Sequence, residues 1–429
     1  MNISIFGLGH VGCVTLACLS RNGHRVIGVD ISDSKVSQLA AGESPVVEKD
    51  IQHIIREEFD RGRITATQDY CQAILETEIS IIAVEVPVEA TGHANLQQVL
   101  KLAATIGRIL HAKNEHHIVA IRSDVQPGTA EKVAQVIEEY SGKKHNRDFS
   151  VVSNPHFLRK GTAVDDYFRP PYSLIGAEKS EAAEKIAQLY RNLPAEVIVT
   201  DCRTAEVMKY VSNSFHALKV AFSNEVASIC GAMNLDSQKV MDLFCADKKF
   251  NLSAAYLRPG FAFGGSGLRK NLKGLLTLAH DHHVSVPVLD SIERSNSIQI
   301  ERAVELVKKS RKRKLGFLGL SFKPGSHELA HSPAAILAET LLGKGYEITI
   351  YDRHLNRHRE QMEIHHPHLA RLMKSHIAEV LNESELLIVT NREKEYVDVL
   401  LNVETEHPVI DLVKLPEAIR QKNNYMAIH

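Results

Sequence analysis

Net charge is missing from this chain: 51 Lys and Arg face 52 Asp and Glu, a formal balance of −1. No global field can then hold nucleic acid or an anionic membrane, so an anionic ligand must be held by local features. Disulfide and redox signatures are missing too. The six cysteines, Cys13, Cys18, Cys71, Cys202, Cys230 and Cys245, form no C-x-x-C pair and read as small buried hydrophobes. Tryptophan is absent, and no run of 18 apolar residues occurs. The N-terminus begins directly on the strand-like MNISIFGLG, without a basic segment followed by an apolar one. A cytoplasmic protein with no membrane span and no signal peptide is expected. Histidine is plentiful, at 23, but the densest cluster (His365, His366, His368) has no cysteine or glutamate partner at zinc spacing, and no metal is expected.

What is present is a globular composition, 44% hydrophobic and 24% charged, over 429 residues, enough for two or three domains. Ile3, Ile5 and Phe6 mark a first strand, followed by a helical pattern (Val11, Val14, Leu16, Leu19) and a second strand, Arg25–Val29, that closes on Asp30. That is one βαβ unit. Apolar runs at Ile79–Val84, His117–Ile121 and Phe149–Ser153 suit a buried parallel sheet. From Arg203 the spacing turns helical, with one long helix and helical sequence to about residue 300. KKSRKRK (308–314) reads as a solvated connector. A second α/β pattern follows: strand Leu315–Leu320, helix Pro333–Leu342, strand Glu347–Tyr351 ending at Asp352, then strands Leu386–Thr390 and Val409–Leu412. The expected fold class is α/β, two Rossmann-like doubly wound domains joined by a long central helix and a helical middle region. The expected boundaries are 1–202, 203–300 and 301–429.

GLGHVG (7–12) is a G-x-G-x-x-G between strand and helix. Its glycines permit a tight turn and let the backbone approach a pyrophosphate whose charge meets the helix N-terminus. Asp30, eighteen residues past Gly12, stands where a carboxylate takes adenosine ribose hydroxyls, which favours NAD over NADP.

Three further segments carry a resemblance: KYVSNSFHALKVAFSNE (209–225), DKKFNLSAAYLRPGFAFGGSGLRKN (247–271) and GLSFKPGSHELAHSP (319–333). With GLGHVG, SPVVE (44–48), QPGT (126–129) and NPHFLRKG (154–161), they resemble the nucleotide-sugar 6-dehydrogenases in order along nearly the whole chain. The RPGFAFGG wording, with NLS upstream, is closest to GDP-mannose 6-dehydrogenase rather than the UDP-glucose enzyme. The resemblance implies oxidation of a nucleotide sugar at C6 to a carboxylate with two NAD molecules, through a cysteine thiohemiacetal and a thioester. It also implies a homodimer built on the long central helix, whose apolar residues here include Met208, Val211, Phe215, Leu218, Phe222 and Val226.

By that resemblance, the cofactor positions are Gly7, Gly9, His10, Val11, Gly12, Asp30, Lys35, Val86 and Asp124. Substrate positions are Phe157, Leu158, His216, Asn224, Tyr256, Arg258, Phe261, Phe263, Gly264 and Lys323. Lys209 and Asn213 match the pair that stabilises a developing oxyanion. The departures fall on the chemistry. The family's G-G-S-C-L-P-K-D reads Gly264-Gly265-Ser266-Gly267-Leu268-Arg269-Lys270-Asn271, so the nucleophile is Gly267 and the aspartate is Asn271. The glutamate of N-P-E-F-L-R is His156, and the arginine of D-D-L-R-E-S-P is Ala330. G-T-P near the nicotinamide reads Glu85-Val86-Pro87, and the threonine of S-T-V-x-P-G-T is Asp124. Two functions stay open: an NAD-dependent nucleotide-sugar oxidoreductase unable to complete the two-step oxidation, and an inactive nucleotide-sugar-binding regulator or scaffold.

Overall fold

Short, almost wholly buried runs rich in Ile and Val form the first sheet in the computed structural model of the chain. Its strands are β1 (Asn2–Phe6), β2 (Arg25–Val29), β3 (Ile64–Thr67), β4 (Ile79–Ile82), β5 (His117–Ile121), β6 (Phe149–Ser153), β7 (Ser173–Gly176) and β8 (Val197–Thr200). The structure describes residues 1–89, 92–249, 256–257, 260–402, 407–421 and 425–428. Strand order is β3-β2-β1-β4-β5-β6-β7-β8, parallel except between β6 and β7. One apolar cluster, around Leu16, Leu19 and Ile55, covers one face, and a second, around Ile106, Val133 and Ile137, covers the other. Burial on both faces is why these strands read as continuous apolar runs. β3, β7 and β8 were not anticipated: they are four-residue strands, β3 and β8 at the sheet's edges, and β8 is largely exposed.

The second sheet has β9 (Lys314–Leu318), β10 (Glu347–Tyr351), β11 (Leu386–Val389), β12 (Val409–Asp411) and β13 (Tyr425–Ala427), all parallel in the order β10-β9-β11-β12-β13. The doubly wound α/β fold expected from sequence is therefore present in both halves. The KKSRKRK run is only partly a connector. Its first three residues finish the Pro287–Ser310 helix, Lys314 opens β9, and Arg311 stops the helix in the left-handed region at φ 57°. In the sequence between the two sheets come the 31-residue Cys202–Ala232 helix and the helices Ser237–Ala246 and Ser266–Asp281. Contacts divide the chain into two compact units, Met1–Ser212 and Asn213–His429.

The two sheets repeat each other at the level of backbone bonds. The Gly7 amide donates to Val29 O at 2.8 Å, and the Gly319 amide to Tyr351 O at 2.8 Å. Leu8 N donates to Asp30 Oδ2 at 2.7 Å, and Leu320 N to Asp352 Oδ2 at 2.9 Å. Gly7 and Gly319 sit at φ +99° and +94°, a conformation costly for any residue with a Cβ. Each loop after a first strand is thus hitched to the aspartate that ends the second.

A polar chain is buried at the amino ends of β1, β4 and β5. Ser4 Oγ meets Thr77 Oγ1 at 3.0 Å and Ser80 Oγ at 2.9 Å, and Ser80 Oγ meets His117 Nε2 at 2.8 Å. Lys113 Nζ donates to Ile74 O at 2.7 Å and to Thr77 O, and lies 3.2 Å from His117 Nδ1. Burial, then the Lys113 charge, lowers His117 to about 3. Burial also lowers His24, His116, His145 and His156. A base with a depressed folded pKa contributes stability above its unfolded pKa, near 6.5, and loses it as pH falls toward the folded value. Lowering pH from 7.5 to 5 should therefore cost about 2 kcal/mol through His117 alone. Urea titrations across this range should show a slope that shrinks by about one proton in His117→Gln. An unchanged slope would exclude the buried neutral imidazole.

Candidate functional site

In the first unit, the carboxyl ends of β1 and β2 form a glycine cradle. A Cβ at Gly12 would lie 1.8 Å from Gly7 O, and one at Gly7 would lie 2.7 Å from Ala83 O. Gly9, by contrast, has nothing within 4 Å of a Cβ position. It N-caps the His10–Arg21 helix, whose first turn has no side-chain cap and no acidic residue. These features fit the pyrophosphate of a dinucleotide, because helix amides and space converge at one point. Asp30, 8% exposed, accepts from Leu8 N at 2.7 Å, Ser32 N at 2.9 Å and Lys35 Nζ at 3.4 Å. It therefore holds the loop. His10 Nε2 meets Glu48 Oε2 at 2.8 Å, and that oxygen also accepts from Gly161 N at 2.7 Å. Glu48 thereby pins the SPVVE and NPHFLRKG segments to the cradle. Val11 packs partly into the core, Val86 is buried in it, and Glu85 is exposed.

The end of β5 brings Asp124, His156 and Lys209 together. His156 Nε2 is 3.4 Å from Asp124 Oδ1, and Leu158 N donates to His156 Nδ1 at 3.3 Å. Nδ1 is thus the acceptor, which assigns the ring proton to Nε2, facing the carboxylate. Burial, then the Lys209 charge, holds His156 well below the usual imidazole range against the pull of Asp124. Its Nδ1 is engaged by a backbone amide, at the position where the resemblance puts a carboxylate. Lys209, 6% exposed, places Nζ 5.9 Å from the centre of the Phe157 ring, a cation–π distance.

Two buried charges escaped the sequence reading. Arg122 Nε donates to Thr15 Oγ1 at 2.9 Å, and Nη1 to Asn154 Oδ1 at 2.9 Å and Tyr190 OH at 3.0 Å. Its signal was a lone arginine closing the apolar β5 run. Glu206, on the long helix, accepts from Gly128 N at 2.6 Å and Ala130 N at 2.7 Å, capping the Thr129–Ser141 helix. Burial pushes its carboxyl up to about 7 against those amides.

The second unit carries the remaining positions. Gly267 is the second residue of the Ser266–Asp281 helix, and among the described residues a Cβ there would meet only Asn213 Nδ2, at 3.8 Å. Asn271 is fully buried, and neither amide atom has a hydrogen-bond partner among the described residues. Asn224 clamps the loop before this helix: Gly260 N donates to its Oδ1 at 3.1 Å, and its Nδ2 donates to Phe261 O at 3.3 Å. Phe263 is 6% exposed in a small core with Ala217 and Leu272, and Asn296 holds its backbone on both sides at 2.8 and 3.0 Å. His216 stacks on Tyr256, ring centres 4.2 Å apart and 13° from parallel. A Cβ at Gly264 would lie 2.4 Å from Pro333 Cδ. Lys323 Nζ lies 5.6 Å from the Phe322 ring centre, and Ala330 is exposed. Arg258 lies outside the described residues. No group of three or more metal-ligating side chains occurs among the described residues, and no helix there is long and apolar enough to cross a membrane.

Fold and cradle define a protein with two Rossmann-type sheets, the first shaped for a dinucleotide. The chain belongs to the UDP-glucose/GDP-mannose dehydrogenase family. The family's NAD binding domain matches residues 1–194, its central domain 203–298 and its UDP binding domain 316–415. A GDP-mannose 6-dehydrogenase of Pseudomonas aeruginosa is 40% identical over 420 residues, covering 96% of each chain. The structure of a UDP-glucose dehydrogenase from the archaeon Pyrobaculum islandicum matches with a TM-score of 0.91 at 28% identity, covering 100% of this chain and 97% of that one. A ternary complex of GDP-mannose dehydrogenase from Pseudomonas aeruginosa matches at 0.59 and 40% identity, each chain fully covered.

Proposed function

We propose that the protein binds NAD and a GDP- or UDP-linked sugar, and that it does not carry that sugar through the covalent two-step oxidation. The observation that carries this reading is Gly267, where the resemblance puts the nucleophile. It offers no side chain, and among the described residues only Asn213 Nδ2 comes within 4 Å of a Cβ there. Asn271 adds to it, because an amide takes no proton near neutral pH.

Gly7, Gly9, Gly12 and Asp30 would hold NAD, whose nicotinamide supplies a hydride acceptor. Lys209 supplies positive charge for a developing oxyanion, and Asn213 supplies an amide donor. His156 Nδ1 accepts from Leu158 N, so that lone pair is not free to draw a proton from a ligand. This leaves at most one hydride transfer, ending at an aldehyde. The exposed Val211, Phe215 and Phe222 on the long helix suit a homodimer, which we place in the cytoplasm. The second reading, a nucleotide-sugar-binding regulator or scaffold, is favoured by the same loss at Gly267.

Calorimetric titration with NAD, GDP-mannose and UDP-glucose, with NADH absorbance followed in the same samples, tests both. Binding of a nucleotide sugar with no NADH supports the binder. One NADH per sugar, with aldehyde as product, supports a truncated oxidation. Two NADH per sugar at a useful rate would exclude both.

A further inference from the structure

The second sheet has a cavity of about 560 Å³ at the carboxyl end of β10, lined in part by Tyr351, Arg353, Arg357, Lys394, Glu395 and Asp398. Its place in the topology is specific. It lies past the carboxyl end of the edge strand β10, which pairs with β9. Open α/β sheets bind ligands outside the carboxyl ends of their strands. In the first sheet the same position is the end of β2, where Asp30 and Lys35 stand.

The charges differ between the two sheets. Asp352 is not available to a ligand's hydroxyls. Its two oxygens are taken by Leu320 N, Ser321 N, Ser321 Oγ, His354 N and Leu355 N at 2.9 to 3.1 Å. Glu395 is engaged as well, accepting from Tyr351 OH at 2.8 Å and lying 3.8 Å from Arg353 Nε. Arg357 and Lys394 are exposed, and neither pairs with a carboxylate among the described residues. Asp398 at the rim offsets one of them, leaving the cavity with three cations against two carboxylates. Where a Rossmann sheet carries arginine just past its second strand, the group accommodated there is a phosphate. Guanidinium and ammonium together suit a dianionic phosphate monoester.

We propose that this cavity binds a nucleoside monophosphate, with the phosphate on Arg357 and Lys394. It is separate from the nucleotide-sugar positions assigned to this unit. Tyr256, Phe261, Phe263, Gly264 and Lys323 do not line it. The inference does not depend on whether the protein oxidises its sugar.

The test is calorimetric titration of the full chain with AMP and with GMP, in the presence and absence of saturating NAD and GDP-mannose. Inorganic phosphate is titrated alongside. Binding of AMP or GMP should persist under saturation and weaken at least tenfold in Arg357→Ala/Lys394→Ala. It should recover in Arg357→Lys/Lys394→Arg, and NAD and GDP-mannose titrations should not change in either variant. Nucleotide binding that NAD or GDP-mannose abolishes, or that the alanine pair leaves intact, overturns the proposal. So does binding of inorganic phosphate as tight as that of the nucleotides.

Discussion

Gly267→Cys is expected to place a reactive thiol in the protein at no cost in stability. Among the described residues, a Cβ at this position has only Asn213 Nδ2 within 4 Å, at an ordinary van der Waals distance, and the backbone is not in the left-handed region. Exchanging a helical glycine for cysteine is worth a few tenths of a kcal/mol in the variant's favour. Iodoacetamide should then label one more site than in the wild type, while the unfolding midpoint holds or rises slightly. The larger effect is chemical. Combined with His156→Glu and Asn271→Asp, the cysteine should raise NADH formation from GDP-mannose by about 10² to 10⁴-fold, because a nucleophile and its proton-transfer partners are regained together. The background matters, since Asn271 is fully buried without a hydrogen-bond partner among the described residues. An unpaired carboxylate there should cost about 1–3 kcal/mol in Asn271→Asp alone. If the triple variant labels normally and yields no more NADH than the wild type, more than the thiol and its partners has been lost. The inactive binder would then be the better reading.

Much of this site was legible as residue types at fixed spacings. GLGHVG sits between β1 and its helix, Asp30 closes β2, and the long helix spans Cys202–Ala232. The buried strands announced themselves because both sheet faces are covered, so apolar residues run without alternation. β3, with its ITAT sequence, carries no such run, and the VIVT run of β8, at the exposed edge, passed unseen. The fate of His156 was also beyond sequence. Its identity said only that a titrating group had replaced a carboxylate. The bond from Leu158 N shows that Nδ1 is engaged, and Nε2 lies 3.4 Å from Asp124 Oδ1. Arg122 and Asn154 meet across 32 residues of chain, a pairing no local pattern encodes. The repeat between the sheets was hidden for a related reason. It resides in backbone amides bonding to one carboxylate, and only Gly-Leu after a strand and Asp after the next survive as letters, at Gly7-Leu8 with Asp30 and Gly319-Leu320 with Asp352.

That repeat predicts unequal consequences for the two aspartates. Asp352 is 1% exposed and accepts from five donors, on Leu320, Ser321, His354 and Leu355. Leu320 is fully buried, and Ser321 and Leu355 nearly so, so water cannot replace the lost acceptor. Each buried donor left unmet costs about 1–3 kcal/mol, and bonds to one carboxylate are not additive. Asp352→Ala should therefore destabilise the second unit by about 4 kcal/mol, a large share of an ordinary domain's stability. Asp352→Asn should recover only part of this, because one oxygen cannot serve both groups of donors. Asp30 has only Leu8 N, Ser32 N and Lys35 Nζ, and Lys35 is well exposed, so Asp30→Ala should cost about 1–2 kcal/mol. Its larger effect should be on NAD affinity, down about tenfold or more with the ribose contact gone. The chain has no tryptophan, so urea unfolding is best followed by far-ultraviolet circular dichroism. Equal losses for the two alanine variants would mean that the hitch at β10 carries no more load than the one at β2. The second aspartate's five bonds would then be geometry without energy.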